Sequence, residues 1–232
     1  MPLRLFALTL LLALSGPLRA QEARQDYSAA ERLLFMSYQL GNVKAPATLH
    51  YSFRKRGTLE PGYEDRVTVT LKAGADGGRC CAAHTDFFSA ERQLKLPDLP
   101  AAEANPAILH FLEREVREMQ RLTKGSQTHF RKRIRMAVYN GATVLDVSVR
   151  FRGRDVAAKE VRFSPFLDDP NRPRYEDLAR KEYRFVLSDA VPGGLYGIRT
   201  RVPAADAASP ALLVEELYVE GAQPPPATNE TR

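Results

Sequence analysis

Residues 105–122 read NPAILHFLEREVREMQRL, and the rest of the chain is best understood outward from them. Asn105 is a residue type that caps helices. Pro106 suits the first helical position, where a missing N–H costs nothing. Ile108, Leu112, Val116 and Met119 recur at helical spacing, and Phe111 and Leu122 widen that stripe. On the other face Glu113 stands four residues before Arg117, and Arg114 four before Glu118, a spacing that favours ion pairs. Lys124-Gly125 ends the run. This is an amphipathic helix whose apolar side needs a cover.

The segments around it alternate. Upstream, Thr48 to Lys55 (TLHYSFRK) sets Leu49, Tyr51 and Phe53 against His50, Ser52 and Arg54. A turn at Gly57 to Gly62 leads to a second alternating run, Asp65 to Lys72. Gly74 to Gly78 turns the chain again into Arg79-Cys80-Cys81-Ala82. Downstream, Phe130 to Tyr139, Thr143 to Arg152 and Val156 to Phe163 read as strands reversed at Asn140-Gly141 and Gly153-Arg154. Asn-Gly is a strong hairpin signal. Asp168 to Pro173 is a loop, Tyr175 to Arg180 a short helical turn, and Glu182 to Ser188, Leu195 to Val202 and Leu212 to Val219 the last strands. Near the start, Ser28-Ala29-Ala30-Glu31 spells a capping box, with a helix running to about Leu40.

The expected fold is therefore α+β and predominantly antiparallel β. About eight or nine strands form a curved sheet or half-barrel, with one main amphipathic helix packed on it. In architecture alone this is similar to periplasmic half-barrel lipid carriers, although no motif ties the chain to them.

The first 20 residues read as a signal peptide. Arg4 precedes the apolar run Leu5 to Leu14, Ser15-Gly16-Pro17 breaks it, and Leu18-Arg19-Ala20 offers a cleavage site before Gln21. The run is shorter than the roughly 20 residues that span a bilayer. The chain then divides into residues 1–20 as leader, 21–222 as a single β-rich exported domain, and 223–232 (QPPPATNETR) as a disordered, proline-rich tail. The expected location is exported, periplasmic or extracellular, with no integral membrane span. Arg4 and Arg19 leave with the leader and no acid does, so the formal charge falls from +6 to +4. That modest excess argues against nucleic acid.

Two clusters carry candidate chemistry. If HFRKRIRMAVY is a strand, Arg131, Arg133 and Arg135 share one face, and the next strand adds Arg150 and Arg152. Guanidinium forks match carboxylate, phosphate and sulfate oxygens, so this face suits an anionic lipid, a glycan or an acidic envelope protein. The same alternation also suits a solvated outer face whose arginines meet acids across strands. Cys80, Cys81, His84 and Asp86 are all metal-ligating types, but their spacing follows no zinc pattern, so they are weak metal candidates. Adjacent cysteines also allow inert thiols or a vicinal disulfide, which closes no loop.

The chain has no nucleophile elbow, no His-Glu-x-x-His and no phosphate-cradling glycine loop. The reading is a non-enzymatic exported module, without cofactor, that binds an anionic amphiphile or cell-envelope component. One alternative is an assembly factor docking on protein through a basic sheet face. Another is a redox or metal protein centred on Cys80-Cys81.

Overall fold

A computed structural model describes residues 26–74, 80–206 and 208–224. The leader with its cleavage site, most of the turn at 74–78 together with Arg79, and the tail from 225 onward lie outside the described residues.

The eight strands are β1 (Ala47–Gly57), β2 (Tyr63–Lys72), β3 (Ala82–Phe87), β4 (Thr143–Phe151), β5 (Arg154–Phe163), β6 (Glu182–Leu187), β7 (Leu195–Val202) and β8 (Leu213–Val219). They form one antiparallel sheet in the order β3-β2-β1-β8-β7-β6-β5-β4. The upstream and downstream strands are thus joined where the last strand pairs with the first, and the sheet stays open. β3 begins only after the two cysteines, so Cys80 and Cys81 precede the strand rather than lie in it.

Alternation sends Leu49, Tyr51 and Phe53 of β1, Val67, Val69 and Leu71 of β2, and Tyr183 and Phe185 of β6 to one buried face. Helix α2 (Pro106–Thr123) crosses that face, after a short α1 (Ala29–Glu31). Asn105 caps α2 by accepting from Ala107 N–H at 3.0 Å, and Lys124 closes it in the left-handed region. Ile108, Phe111, Leu112, Val116 and Met119 are all buried, and the Phe111 ring meets Phe185 edge-on. The apolar stripe is as expected. Of the two polar-face pairs, Glu113 does meet Arg117 at 3.5 Å, but Arg114 turns inward instead of facing Glu118.

Two elements differ from the sequence reading. The Ser28 capping box is present, yet the helix does not reach Leu40. A wider turn over Arg32–Met36 follows α1, Ser37 is extended, and a 3₁₀ turn covers Gln39–Asn42. Polar side chains take the backbone carbonyls that a continued helix would use: Ser37 Oγ donates to Arg32 O, and Gln39 Nε2 to Leu33 O.

The larger correction concerns Phe130 to Tyr139. These residues form helix α3 (Gln127–Met136), extended by a turn over Ala137–Gly141, so Asn140-Gly141 ends a helix and is not a hairpin. Phe130, Ile134 and Val138 are buried four residues apart, whereas Met136, which a strand would bury beside Ile134, is 37% exposed. The four-residue spacing of these apolar residues overrode the two-residue alternation of the arginines.

Candidate functional site

Between α2 and the sheet lies a cluster of charges that strand and helix patterning did not announce. Lys55, Arg114, Glu115, Lys181 and Glu215 are all buried. Arg114 donates to Glu215 at 2.6 Å and to Glu115 at 2.5 Å. Lys181 lies 2.8 Å from Glu215 and 2.6 Å from Glu115, and Thr200 Oγ1 donates to Glu215 at 3.0 Å. Lys55 stands 3.8 Å from Glu215 and donates to Glu60 at the rim. The Arg114 guanidinium also lies over the Phe53 ring, 5.2 Å from its centre.

Burial pushes the Glu215 carboxyl up, but Arg114 and Lys181 together outweigh it and hold Glu215 well below the usual carboxylate range. Burial also pulls Arg114 and Lys181 down, and their carboxylate partners more than restore both. The Tyr183 hydroxyl is driven far up by burial and by Glu115. Glu115 faces two cations and Glu215 three, which suits clamping a helix to a sheet.

Surface features gather around α3. On one flank, α1 and the turn after it, α2 and α3 enclose an apolar groove of about 340 Å³. Its walls are Phe35, Leu109, Leu112, Val116, Ile134 and Val138, and Arg131, Arg135, Glu31 and Glu113 stand at its rim. Phe35 and Leu109 are exposed, at 39% and 51%. Glu31 is committed to the capping box, and Glu113 takes Arg131 in a forked pair at 2.9 to 3.2 Å. Among the described residues Arg135 has no carboxylate partner. On the opposite flank, Lys132 and Arg133 join Arg162 of β5 and Arg184 of β6 around a half-open basin of about 820 Å³. Arg162 and Arg184 are direct cross-strand partners, as are Arg184 and Arg199. Burial, with Arg184 beside it, lowers the Arg162 pKa.

The five arginines expected on one sheet face are therefore divided. Arg131 and Arg135 flank the apolar groove. Arg133 points to the basin, where its Nε donates to Pro165 O at 3.1 Å and lies 3.3 Å from Asp169. Arg150 sits on β4 opposite Asp155, 3.9 Å away. Arg152 is in the reversal before Gly153, with positive φ, stacked 5.2 Å from the Phe151 ring. Within α3 helical geometry is the reason: Arg131 and Arg135, four residues apart, share one side, and Arg133 between them points to another.

The second cluster also separates. The sulfurs of Cys80 and Cys81 are bonded to each other, and Cys81 is buried. His84, on the outer face of β3, takes Asp98 at 2.6 Å and Asp86 at 3.3 Å. Among the described residues no three His, Cys, Asp or Glu side chains are grouped to hold a metal ion. No helix among them is long and apolar enough to cross a membrane.

No family model matches the chain. No curated protein matches it either. Among solved structures, the lipoprotein LppX of Mycobacterium tuberculosis is similar over 85% of this chain and 98% of that chain, at 9% identity and a TM-score of 0.36. That likeness is too distant to carry a function across.

Proposed function

We propose that the protein is an exported, non-enzymatic module that binds an anionic amphiphile. The apolar chain lies in the groove between α1, α2 and α3, and the head group meets Arg131 and Arg135. The observation that supports this is the pairing of an apolar floor with Arg135, which no carboxylate among the described residues neutralises. Ligand pockets commonly combine apolar walls with a few placed polar groups, and a guanidinium suits a phosphate or carboxylate head. The inner sheet face carries the core and the charge cluster, and the reading puts the ligand in the outer groove of the helical layer.

Calorimetric titration with lysophosphatidylglycerol below its micelle threshold tests this, with lysophosphatidylcholine as the zwitterionic comparison. The anionic lipid should bind more tightly. Arg135→Glu should weaken it tenfold or more, about 1.4 kcal/mol, and remove the preference, while Leu109→Glu should abolish binding of both. Equal binding of both lipids by the unaltered protein would defeat the head-group assignment.

A second reading has its own observation. The half-open basin, where Lys132, Arg133, Arg162 and Arg184 outnumber Asp168 and Glu182, suits an acidic protein surface, as an assembly factor would need. A photoreactive residue at position 184 that crosslinks one envelope protein in cells, and fails to do so in Lys132→Glu, supports that reading.

A further inference from the structure

The two edges of the sheet are finished differently. Along β3 the connector that follows it turns back and pairs. Ala83 bridges Leu99, Phe87 bridges Leu94, and Cys81 and Ala102 exchange N–H···O bonds in both directions. Along β4, strand pairing among the described residues is confined to the final turn. There Arg152 N–H donates to Gly221 O at 2.8 Å, Gln223 N–H donates to Arg150 O at 3.0 Å, and Phe151 stands opposite Ala222.

That short pairing fixes which groups face outward. The Arg150 carbonyl points off the sheet edge. Because a residue in an antiparallel strand turns its N–H and C=O to the same side, and alternate residues agree, Ser148 and Asp146 present theirs outward as well. Proline at position 225 has no N–H to donate to a strand ladder. The open stretch carries Leu145, Val147 and Val149 on one face, and Leu145 is 40% exposed. It has no lysine, proline or bulge to blunt the edge, and its one charge, Asp146, is paired with Lys159 of β5 at 2.6 Å.

We propose that the β4 edge from Leu145 to Val149 pairs antiparallel with the same edge of a second copy of this chain, about a two-fold axis at Val147. The sequence selects that axis. Centred on Asp146, the pairing sets two aspartates directly opposite, which repels. Centred on Ser148, it needs the Arg150 carbonyl, which Gln223 already occupies. Centred on Leu145, it leaves Val149 without a counterpart. Centred on Val147, Asp146 exchanges both backbone bonds with Ser148 of the second copy. Val147 then meets its own equivalent, and Leu145 meets Val149. Six apolar side chains gather on one face of the joined sheet, and like charges stay apart.

The test is sedimentation velocity of the mature chain over a wide concentration series, with single-cysteine variants for register. The protein should sediment as a dimer that dissociates on dilution. Val147→Cys should form a covalent dimer under mild oxidation, because directly opposed, non-hydrogen-bonded residues lie about 4.5 Å apart between Cα atoms, within the disulfide range. Leu145→Cys, whose counterpart is Val149, should not. Ser148→Pro removes one edge N–H and should give a monomer with unchanged circular dichroism, since proline is tolerated where the N–H faces off the sheet. A chain that is monomeric at every concentration overturns the proposal. So does Leu145→Cys crosslinking as fast as Val147→Cys, or a dimer that survives Ser148→Pro.

Discussion

Arg114 Nη2 and Glu215 Oε1 meet at 2.6 Å in the interior, tying the middle of α2 to β8 across 101 residues of chain. The pair belongs to a set that includes Glu115, Lys181 and Lys55, and a set of buried charges is stable only as a whole. Glu215→Leu would leave Arg114 and Lys181 with Glu115 as their shared carboxylate, while Lys55 keeps Glu60. The expected loss is about 3–5 kcal/mol in urea denaturation. Replacing Arg114, Glu115, Lys181 and Glu215 together with apolar residues of similar volume should cost far less. Equal losses from the single and the fourfold change would show that the charges do not act as a unit. Glu215 also sets an acid limit. Its folded pKa is depressed, so its contribution is complete above the ordinary carboxylate range and disappears as pH falls through the folded value, well below that range. Glu215→Leu should flatten the acid arm of the stability curve.

His84 gives a pH effect of opposite sign. The hydrogen bond to Asp98 is the main cause that raises its pKa, with Asp86 assisting against slight desolvation. Below the ordinary histidine range the charged ring ties β3 to the connector at 94–102, and that tie is lost as pH rises through the raised value. The side chain is half exposed, so the effect belongs to local opening rather than global stability. Hydrogen exchange at Leu99 N–H, which donates to Ala83 O, should quicken above that pH beyond its intrinsic rate. Asp98→Asn should bring the NMR titration of His84 back toward 6.5 and remove the step.

Much of the architecture was legible because its signals are local. The Asn105-Pro106 start and four-residue stripe of α2, the capping box at Ser28, and the alternation of β1 and β2 each involve neighbours only. Glu215 and Glu216 diverge as neighbours in a strand do: one is buried, and the other turns outward to Arg56 at 2.6 Å. The strand reading of 130–139 failed because HFRKRIRMAVY satisfies both periods, and only the burial of Phe130, Ile134 and Val138 separates them. With that strand went the single arginine face. The charge cluster left a trace that patterning alone undervalues. Lys55 shares the inward parity of Tyr51 and Phe53, and Glu215 that of Leu213 and Leu217. A charge at an inward position is informative only when its partner is known, and Lys181 and Arg114, the partners of Glu215, are 34 and 101 residues away.

Leu109 and Leu112 separate stability from binding. They sit one turn apart on α2 and both line the groove, but Leu112 is 7% exposed and Leu109 is 51% exposed. Leu112→Ala empties core volume and should cost about 2–5 kcal/mol. Leu109→Ala removes surface contact only and should change stability by less than about 0.5 kcal/mol. Its effect should appear in calorimetry as weaker lysolipid binding. A Leu109 variant that unfolds readily, or one that binds normally, would remove the groove from the functional surface.

Asn105 concentrates four contacts in one buried side chain and its own N–H. Oδ1 accepts from Ala107 N–H, Nδ2 donates to Gly193 O at 2.7 Å and to Tyr51 Oη at 2.8 Å, and the backbone N–H donates to Gln39 Oε1 at 2.7 Å. The helix cap thus also fixes β1, the turn before β7 and the Gln39 turn against one another. Asn105→Ser should lose about 1–3 kcal/mol, because the cap survives while the Gly193 carbonyl is left unmatched in the interior. Asn105→Asp is the sharper variant, since aspartate caps helices as well as asparagine does. Its charged form can donate to neither Gly193 O nor Tyr51 Oη, whereas its protonated form restores one donor. The new carboxyl should therefore have a raised folded pKa, so the folded state binds the extra proton and the variant grows more stable relative to the parent as pH falls toward the carboxylate range. Denaturation of both proteins across that range measures the difference. A gap that stays constant with pH would mean that Asn105 acts as a helix cap alone, without its links to Gly193 and Tyr51.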